Sequence, residues 1–213
     1  MQKDNYQKIL DKIEGTAAKL VVVSKTRSLD QIRFFYERGQ RMFGENRVPE
    51  LVEKHDALPD DIEWHLIGHL QTNKVKYIAG FVGLIHSVDS LRLLKEINKQ
   101  AEKMDRKMAV LLQFKIAQEE SKYGLQMANL NDFKVEDYPS VVFRGVMGMA
   151  SFVSDKNQVT SEFRQLKNIF DDLKATHFKE NNDFTEISMG MSGDYEIAMA
   201  EGSTMLRVGS LVF

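Results

Sequence analysis

The stretch Lys19-Leu-Val-Val-Val-Ser-Lys-Thr26 restricts the possible fold more than any other part of the chain. Leu20 to Val23 are four consecutive apolar residues, three of them β-branched. A run without polar alternation fits a short strand covered on both faces, as in a parallel sheet or barrel. The strand should end where its apolar residues end. Lys25 stands there, followed by Thr26, Arg27 and a helix start. A primary amine is thus placed at the carboxyl end of a buried strand, the edge on which α/β folds assemble their sites.

The pattern on either side of this strand repeats. Tyr6, Ile9, Leu10 and Ile13 recur at helical spacing over residues 3–14, and Gly15 stands just beyond them. After Lys25, Ser28-Leu-Asp-Gln31 has the form of a capping box, and Leu29, Ile32, Phe35 and Tyr36 make one apolar face that Gly39 closes. Further apolar runs lie at Met42 to Gly44, Trp64 to Ile67, Gly83 to Ile85, Ala109 to Leu112, Val141 to Met149, Phe184 to Ile187 and Thr204 to Val208. Between most of them run helical patterns, at Val48 to His55, Thr72 to Ala79, Leu91 to Met104 and Val159 to Leu173. Counted with the first, eight strands alternating with helices predict a (β/α)8 barrel of the α/β class. Only a weak helical pattern separates the fifth and sixth runs, and nothing follows the eighth. The helix over residues 3–14 is expected to cover that last gap, where the chain ends meet at the closure.

With 213 residues, three prolines and no Gly/Ser-rich tract, the chain is expected to form one domain over residues 1–213. A net charge of −2 with interspersed signs offers no field for nucleic acid or an anionic membrane. No apolar run approaches the ~20 residues of a membrane helix, and the first residues lack the apolar core of a signal peptide. The absence of cysteine excludes disulfides, thiol catalysis and thiolate metal sites, and a reducing cytoplasm is the expected compartment.

Polar residues gather at the expected strand ends: Lys25, Asn46, His65, His69, His86, Ser87, Gln113, Ser188, Ser192, Arg207 and Ser210. Any one of them alone is an ordinary solvated strand end. Together with the last two loops they say more. Ser188-Met-Gly-Met-Ser-Gly-Asp-Tyr-Glu196 leaves a strand, turns on Gly190 and enters a helix near Ser192 or Gly193, where backbone amides and a hydroxyl would hold an anion. Thr204-Met-Leu-Arg-Val-Gly-Ser210 follows, with Gly209 allowing close approach of the backbone to a ligand. Paired loops after strands seven and eight are where many barrels bind phosphate. Lys25 is then the candidate Schiff-base amine for a carbonyl cofactor. His65-Leu-Ile-Gly-His69 imitates a metal-binding helix but has Leu66 where a metalloprotease needs Glu, so zinc is rejected. Met147-Gly-Met149 reads as core, with Met149 a contact for a bound ring.

Val23-Ser-Lys-Thr26, Phe43-Gly-Glu-Asn46, Trp64-His-Leu-Ile-Gly-His-Leu-Gln-Thr-Asn-Lys74, His86-Ser-Val-Asp-Ser90, Glu119-Glu-Ser-Lys122, Gly145-Val-Met-Gly-Met149, Ser188-Met-Gly-Met-Ser192 and Arg207-Val-Gly209 closely resemble, in order and over nearly the whole chain, the YggS/PROSC family of pyridoxal-phosphate homeostasis proteins. The resemblance implies a barrel like the N-terminal domain of alanine racemase, with pyridoxal 5′-phosphate held as an aldimine. Lys25 matches the family's Schiff-base lysine, Ser192, Gly209 and Ser210 its phosphate cradle, Arg207 the arginine facing the pyridine nitrogen, and Asn46 and Met149 residues lining the cofactor. Lys115, Gln118 and Tyr123 depart from the commonest pattern, on a loop where they bear only on rim contacts.

The chemistry of these residue types agrees with the resemblance. A lysine at its ordinary pKa of ~10.4 is protonated, and desolvation with a neighbouring cation such as Arg207 would free the amine. Guanidinium only donates, so it would leave a pyridine nitrogen unprotonated and weaken the ring as an electron sink. The expected function is therefore a carrier in vitamin B6 homeostasis that holds the cofactor without robust turnover, acting as a monomer with cofactor-requiring apo-enzymes as partners. A cofactor-dependent amino-acid racemase is the alternative, and a Schiff-base aldolase without cofactor a third.

Overall fold

The computed structural model describes residues 4–117 and 123–213. The expectations attached to Gln118 and to Glu119-Glu-Ser-Lys122 lie outside the described residues. Eight parallel strands, β1 (Lys19–Val23), β2 (Met42–Glu45), β3 (Glu63–Leu66), β4 (Leu84–Val88), β5 (Met108–Gln113), β6 (Val141–Met147), β7 (Glu186–Ser188) and β8 (Met205–Val208), close into one barrel in sequence order. Among the described residues seven α-helices surround it: α1 (Asn5–Ile13), α2 (Leu29–Glu37), α3 (Val48–Ala57), α4 (Val75–Ile78), α5 (Leu91–Lys103), α6 (Lys156–Ala175) and α7 (Tyr195–Ala200).

The closure is made by β1 against β8, with Lys19 opposite Met205 and Val22 opposite Val208. As expected, α1 covers this seam. Asp4 caps it by accepting from the Gln7 amide at 2.8 Å, and Tyr6 and Ile9 are buried. Tyr6 packs edge-on against Phe35 of α2 at 5.0 Å, and Phe35 in turn against Phe213 at 4.8 Å. Asn5 Nδ2 donates to the Leu211 carbonyl at 3.0 Å. The two chain ends thus seal one edge of the barrel together. The Ser28 capping box is also present, with the Gln31 amide donating to Ser28 Oγ and the Ser28 amide to Gln31 Oε1.

Where only a weak helix was expected, between β5 and β6, two 3-10 turns at Met127–Leu130 and Val135–Asp137 replace it. They bury Leu130, Phe133 and Tyr138. Phe133 packs edge-on against Phe143 at 5.6 Å, and Phe143 meets Phe178, which stacks on Phe184 at 4.1 Å. A layer of aromatic rings here covers the barrel in place of a helix. It also explains why β7 begins at Glu186, since Phe184 belongs to that layer and not to the strand.

Two other strand bounds move relative to expectation. β4 extends to Val88, through an irregularity between Ile85 and Val88, so His86 and Ser87 lie within it. β6 stops at Met147 and leaves Met149 beyond the strand end. The main apolar core lies between strands and helices, while Leu84, Leu111, Met147 and Met205 form a small separate group contributed by four strands and packed inside the barrel. No helix among the described residues is long and apolar enough to cross a membrane.

β6 carries one position that only glycine can fill. Gly145 has φ +150°, and a Cβ there would stand 1.8 Å from the Glu186 carbonyl oxygen of the paired strand. The register of β5 against β6 shifts beside it. Gly145→Ala is expected to destabilise the fold by about 2–4 kcal/mol, because the adjacent backbone must separate. Urea unfolding should show a lower midpoint at unchanged slope.

Candidate functional site at the carboxyl ends of the strands

The carboxyl ends of the strands surround a cavity of about 1050 Å3, and Lys25, Asn46, Met149, Ser192, Arg207, Gly209 and Ser210 all line it. Residues far apart in sequence thus meet in one place, as the barrel reading requires.

Lys25 sits in a short turn between β1 and α2. The Arg27 amide donates to the Ser24 carbonyl at 3.0 Å, and Thr26 adopts φ 63°, a conformation that a β-branched residue rarely takes. A buried charge cluster behind the turn holds it. Lys54 Nζ donates to the Ser24 carbonyl at 2.7 Å, to Glu45 Oε1 at 2.7 Å and to Glu50 Oε1 at 2.6 Å. Glu50 Oε1 also accepts from the Thr26 amide at 2.6 Å, and Ser24 Oγ donates to Glu45 Oε1 at 2.6 Å. Burial raises the Glu45 carboxyl above its ordinary value against the pull of Lys54 and Ser24. Glu50 also feels burial, but Lys54 and the Thr26 amide outweigh it and hold its carboxyl low. The Lys25 side chain is exposed at the mouth, so the desolvation expected for it is not in place.

Gly190 opens the loop after β7 at φ +92°, and a Cβ there would stand 2.6 Å from the Ala198 Cβ. The loop packs directly onto α7 for that reason. The helix itself starts at Tyr195, later than expected, because Asp194 Oδ1 accepts from the Met191 amide at 2.5 Å and closes a turn first. Ser192 Oγ accepts from the Leu211 amide at 3.3 Å, which ties the two expected cradle loops to each other. A Cβ on Gly209 would come within 3.0 Å of the Val23 carbonyl oxygen, so its missing side chain also accommodates β1, and not only a ligand as expected.

Arg207 is the buried cation of the site, at 4% exposure. Its Nη1 donates to Ser188 Oγ at 2.6 Å and its Nη2 to the Gly148 carbonyl at 3.1 Å. Burial lowers the guanidinium to about 10, opposed by the charge of Asp194, so it remains a cation at neutral pH.

Several polar residues expected at the mouth lie elsewhere. His65, His86 and Ser188 are fully buried and outside the cavity lining. His69 is at the cavity rim, where its Nδ1 meets Asp89 at 2.9 Å and its ring stacks on Tyr123 at 4.7 Å. His65 and His69 therefore diverge and do not face a common ion. Sequence reasoning missed Asp194, Lys156 and Phe152, which line the cavity. A turn-forming acid, a helix-starting lysine and a loop phenylalanine carry no distinguishing signal until the fold brings them together.

This arrangement defines a class: a closed parallel barrel with an amine, a buried guanidinium and a hydroxyl-bearing glycine loop converging at the strand ends. Residues 2–213 match the family model described as alanine racemase, N-terminal domain. A protein of Aquifex aeolicus named pyridoxal phosphate homeostasis protein is 41% identical over 199 residues, covering 92% of this chain and 86% of the relative. Among solved structures, PipY of Synechococcus elongatus without its ligand superimposes with a TM-score of 0.89 at 33% identity, covering 97% of this chain and 98% of that one. PipY with pyridoxal phosphate bound gives 0.85 at 31%, covering 99% and 100%. The chain belongs to the family of pyridoxal phosphate homeostasis proteins, with the barrel of the alanine racemase N-terminal domain.

The cluster behind Lys25 has a measurable consequence. Lys54→Met leaves Glu45 buried without its cation and is expected to cost about 3–5 kcal/mol. Adding Glu45→Gln to that variant should recover part of the loss, read from denaturant midpoints of the single and double variants.

Proposed function

We propose that this chain binds pyridoxal 5′-phosphate as a Schiff base on Lys25, with Ser192, Gly209 and Ser210 around the phosphate, Asn46 and Met149 along the ring and Arg207 at the pyridine nitrogen. The observation that carries this reading is the convergence of all seven side chains and glycines on one cavity. The lining suits the group chemically: an amine for the aldehyde, hydroxyls and a glycine loop for the phosphate, and a guanidinium that can only donate for the ring nitrogen. The bound group supplies a reactive carbonyl and a ring able to delocalise charge. This chain's own residues bind and orient it.

The role proposed is custody of the cofactor without robust turnover. Arg207, a cation with no proton acceptor, works against protonation of the ring nitrogen and so against the carbanion chemistry that a racemase needs. The racemase alternative has one side chain in its favour, Tyr123, a phenol on the cavity lining, but it is 63% exposed and stacked on His69 at the rim. We place the protein in the cytoplasm as a monomer that hands its cofactor to apo-enzymes. Its exposed large apolar side chains are scattered except at the mouth, where Phe152 stands 96% exposed beside Val153, a suitable contact for a recipient.

Lys25→Ala is expected to abolish the visible absorption of the purified, cofactor-loaded protein. Its ligand-free stability should stay within about 0.5 kcal/mol of the parent, because an exposed side chain is lost. A visible band that persists unchanged would refute the assignment. Ser192→Ala should weaken cofactor affinity by about 1.5–3 kcal/mol, the scale of one hydrogen bond to a charged group. Equilibrium titration checks it, and unchanged affinity would put the phosphate elsewhere.

A further inference from the structure

The residues that left the mouth form a column through the barrel. Starting at the amino-terminal end of β3, Glu63 Oε1 lies 3.0 Å from His65 Nε2, His65 Nδ1 lies 2.9 Å from His86 Nε2, and His86 Nδ1 lies 2.8 Å from Ser188 Oγ. Ser188 Oγ accepts from Arg207 Nη1 at 2.6 Å. His65, His86 and Ser188 are 0% exposed, so no solvent supplies a missing partner. The column connects the face of the barrel opposite the cavity with the guanidinium that lines it.

Its hydrogens follow from its two ends. Arg207 can only donate and the Glu63 carboxylate can only accept. Ser188 then donates to His86 Nδ1, His86 Nε2–H to His65 Nδ1, and His65 Nε2–H to Glu63. Both imidazoles are neutral and every group along the way is satisfied. The reverse sense would need an imidazolium at His65 and would leave the buried Ser188 hydroxyl hydrogen without an acceptor in the column, at a cost of about 1–3 kcal/mol. Burial above all, with the positive charge of Arg207 beside it, pushes the His86 imidazole well below its ordinary value, in accord with the neutral form. Glu63 is held low by the bond from His65 against burial, with Lys19 and Arg144 adding to it. Lys19 in turn binds Glu186 at 2.5 Å, and Arg144 meets Asp183 at 3.4 Å. Apolar residues would fill the same volume at no electrostatic cost, and Leu84, Leu111, Met147 and Met205 already do so alongside.

We propose that Glu63, His65, His86 and Ser188 are positioning residues for the cofactor site, forming a hydrogen-bonded column of fixed sense that aims the Arg207 guanidinium at the ring from the far side of the barrel. This rests on the placement of the ring against Arg207 given above. The column orients Nη1 through Ser188 while the Gly148 carbonyl orients Nη2, so the plane of the guanidinium is fixed before any ligand enters. Preorganisation of this kind lowers the cost of binding.

Glu63 provides the test, because its side chain is 52% exposed and its replacement leaves the core packing in place. In the full chain, Glu63→Leu removes the terminal acceptor, while Glu63→Gln keeps an oxygen for His65 Nε2–H. Three quantities are read for each: the dissociation constant of pyridoxal phosphate, the position of the visible band of the loaded protein, and the melting temperature without ligand. Glu63→Leu is expected to weaken binding roughly five- to ten-fold and to shift the band, less than the loss of a direct charge-assisted bond because the column reaches the ring only through Arg207, and to lower the melting temperature by a few degrees, since the buried His65 Nε2–H loses its acceptor. Glu63→Gln should restore the parent's affinity to within about two-fold, together with its band, since the acceptor of the column is regained. A Glu63→Leu protein that matches the parent in affinity and band overturns the column, as does a Glu63→Gln protein as impaired as Glu63→Leu. Failure of the underlying function reads differently: the parent itself would then show no band dependent on Lys25.

Discussion

The register of β1 against β8 is the constraint from which the rest of the molecule follows. Val21 pairs with Arg207 and Val22 with Val208, so when the barrel closes, the amine that follows β1 and the glycine loop that follows β8 arrive at the same edge. Neither strand has a site of its own. β1 supplies four buried apolar residues and then a lysine, and β8 supplies an inward guanidinium and then Gly209 and Ser210. Pairing fixes their separation because a strand cannot slip by one residue without exchanging its inward and outward faces, which at β8 would turn Arg207 away from the cavity. The two chain ends reinforce this seam, α1 from one side and Phe213 from the other.

Charge is handled differently on the two sides of the mouth. Behind Lys25, a second lysine is enclosed by two carboxylates and a backbone carbonyl, and this cluster holds a turn that contains a β-branched residue at positive φ. At Arg207 the nearest bonded partners are neutral, a serine hydroxyl and a carbonyl, and the compensating anions stand further off at Asp194 and, through the column, at Glu63. Removing one member of the first cluster strands a charge and weakens the fold. The second arrangement leaves a cation free to act on a ligand. Stability is concentrated beneath Lys25, and electrostatic influence around Arg207.

Much of this was legible in the sequence. Uninterrupted apolar runs at β1 and β5 mark strands buried on both faces, and Lys25, Arg207 and the two glycine loops follow them at spacings that a barrel turns into a single site. The column was not legible. Within a strand, an inward polar residue and a polar residue just past the strand end look alike, and for His86 the difference rests on an irregularity between Ile85 and Val88 that leaves no mark in the hydrophobic pattern. His65 and His69 are four residues apart, yet one ends inside the barrel and the other on its rim, because β3 stops at Leu66. The missing helix before β6 was visible as a weakness in periodicity, but its replacement by rings from Phe133 to Phe184 depends on contacts across more than one connection.

The central claim, that Lys25 carries the cofactor covalently, is tested most directly by loading the protein with pyridoxal phosphate, reducing it with borohydride and mapping the modified peptide by mass spectrometry. Lys156 also lines the cavity and serves as an internal control for an amine that is merely close. The expected result is a single stable adduct on Lys25. An adduct on Lys156 or another lysine with Lys25 unmodified, or no adduct at saturating cofactor, would contradict it.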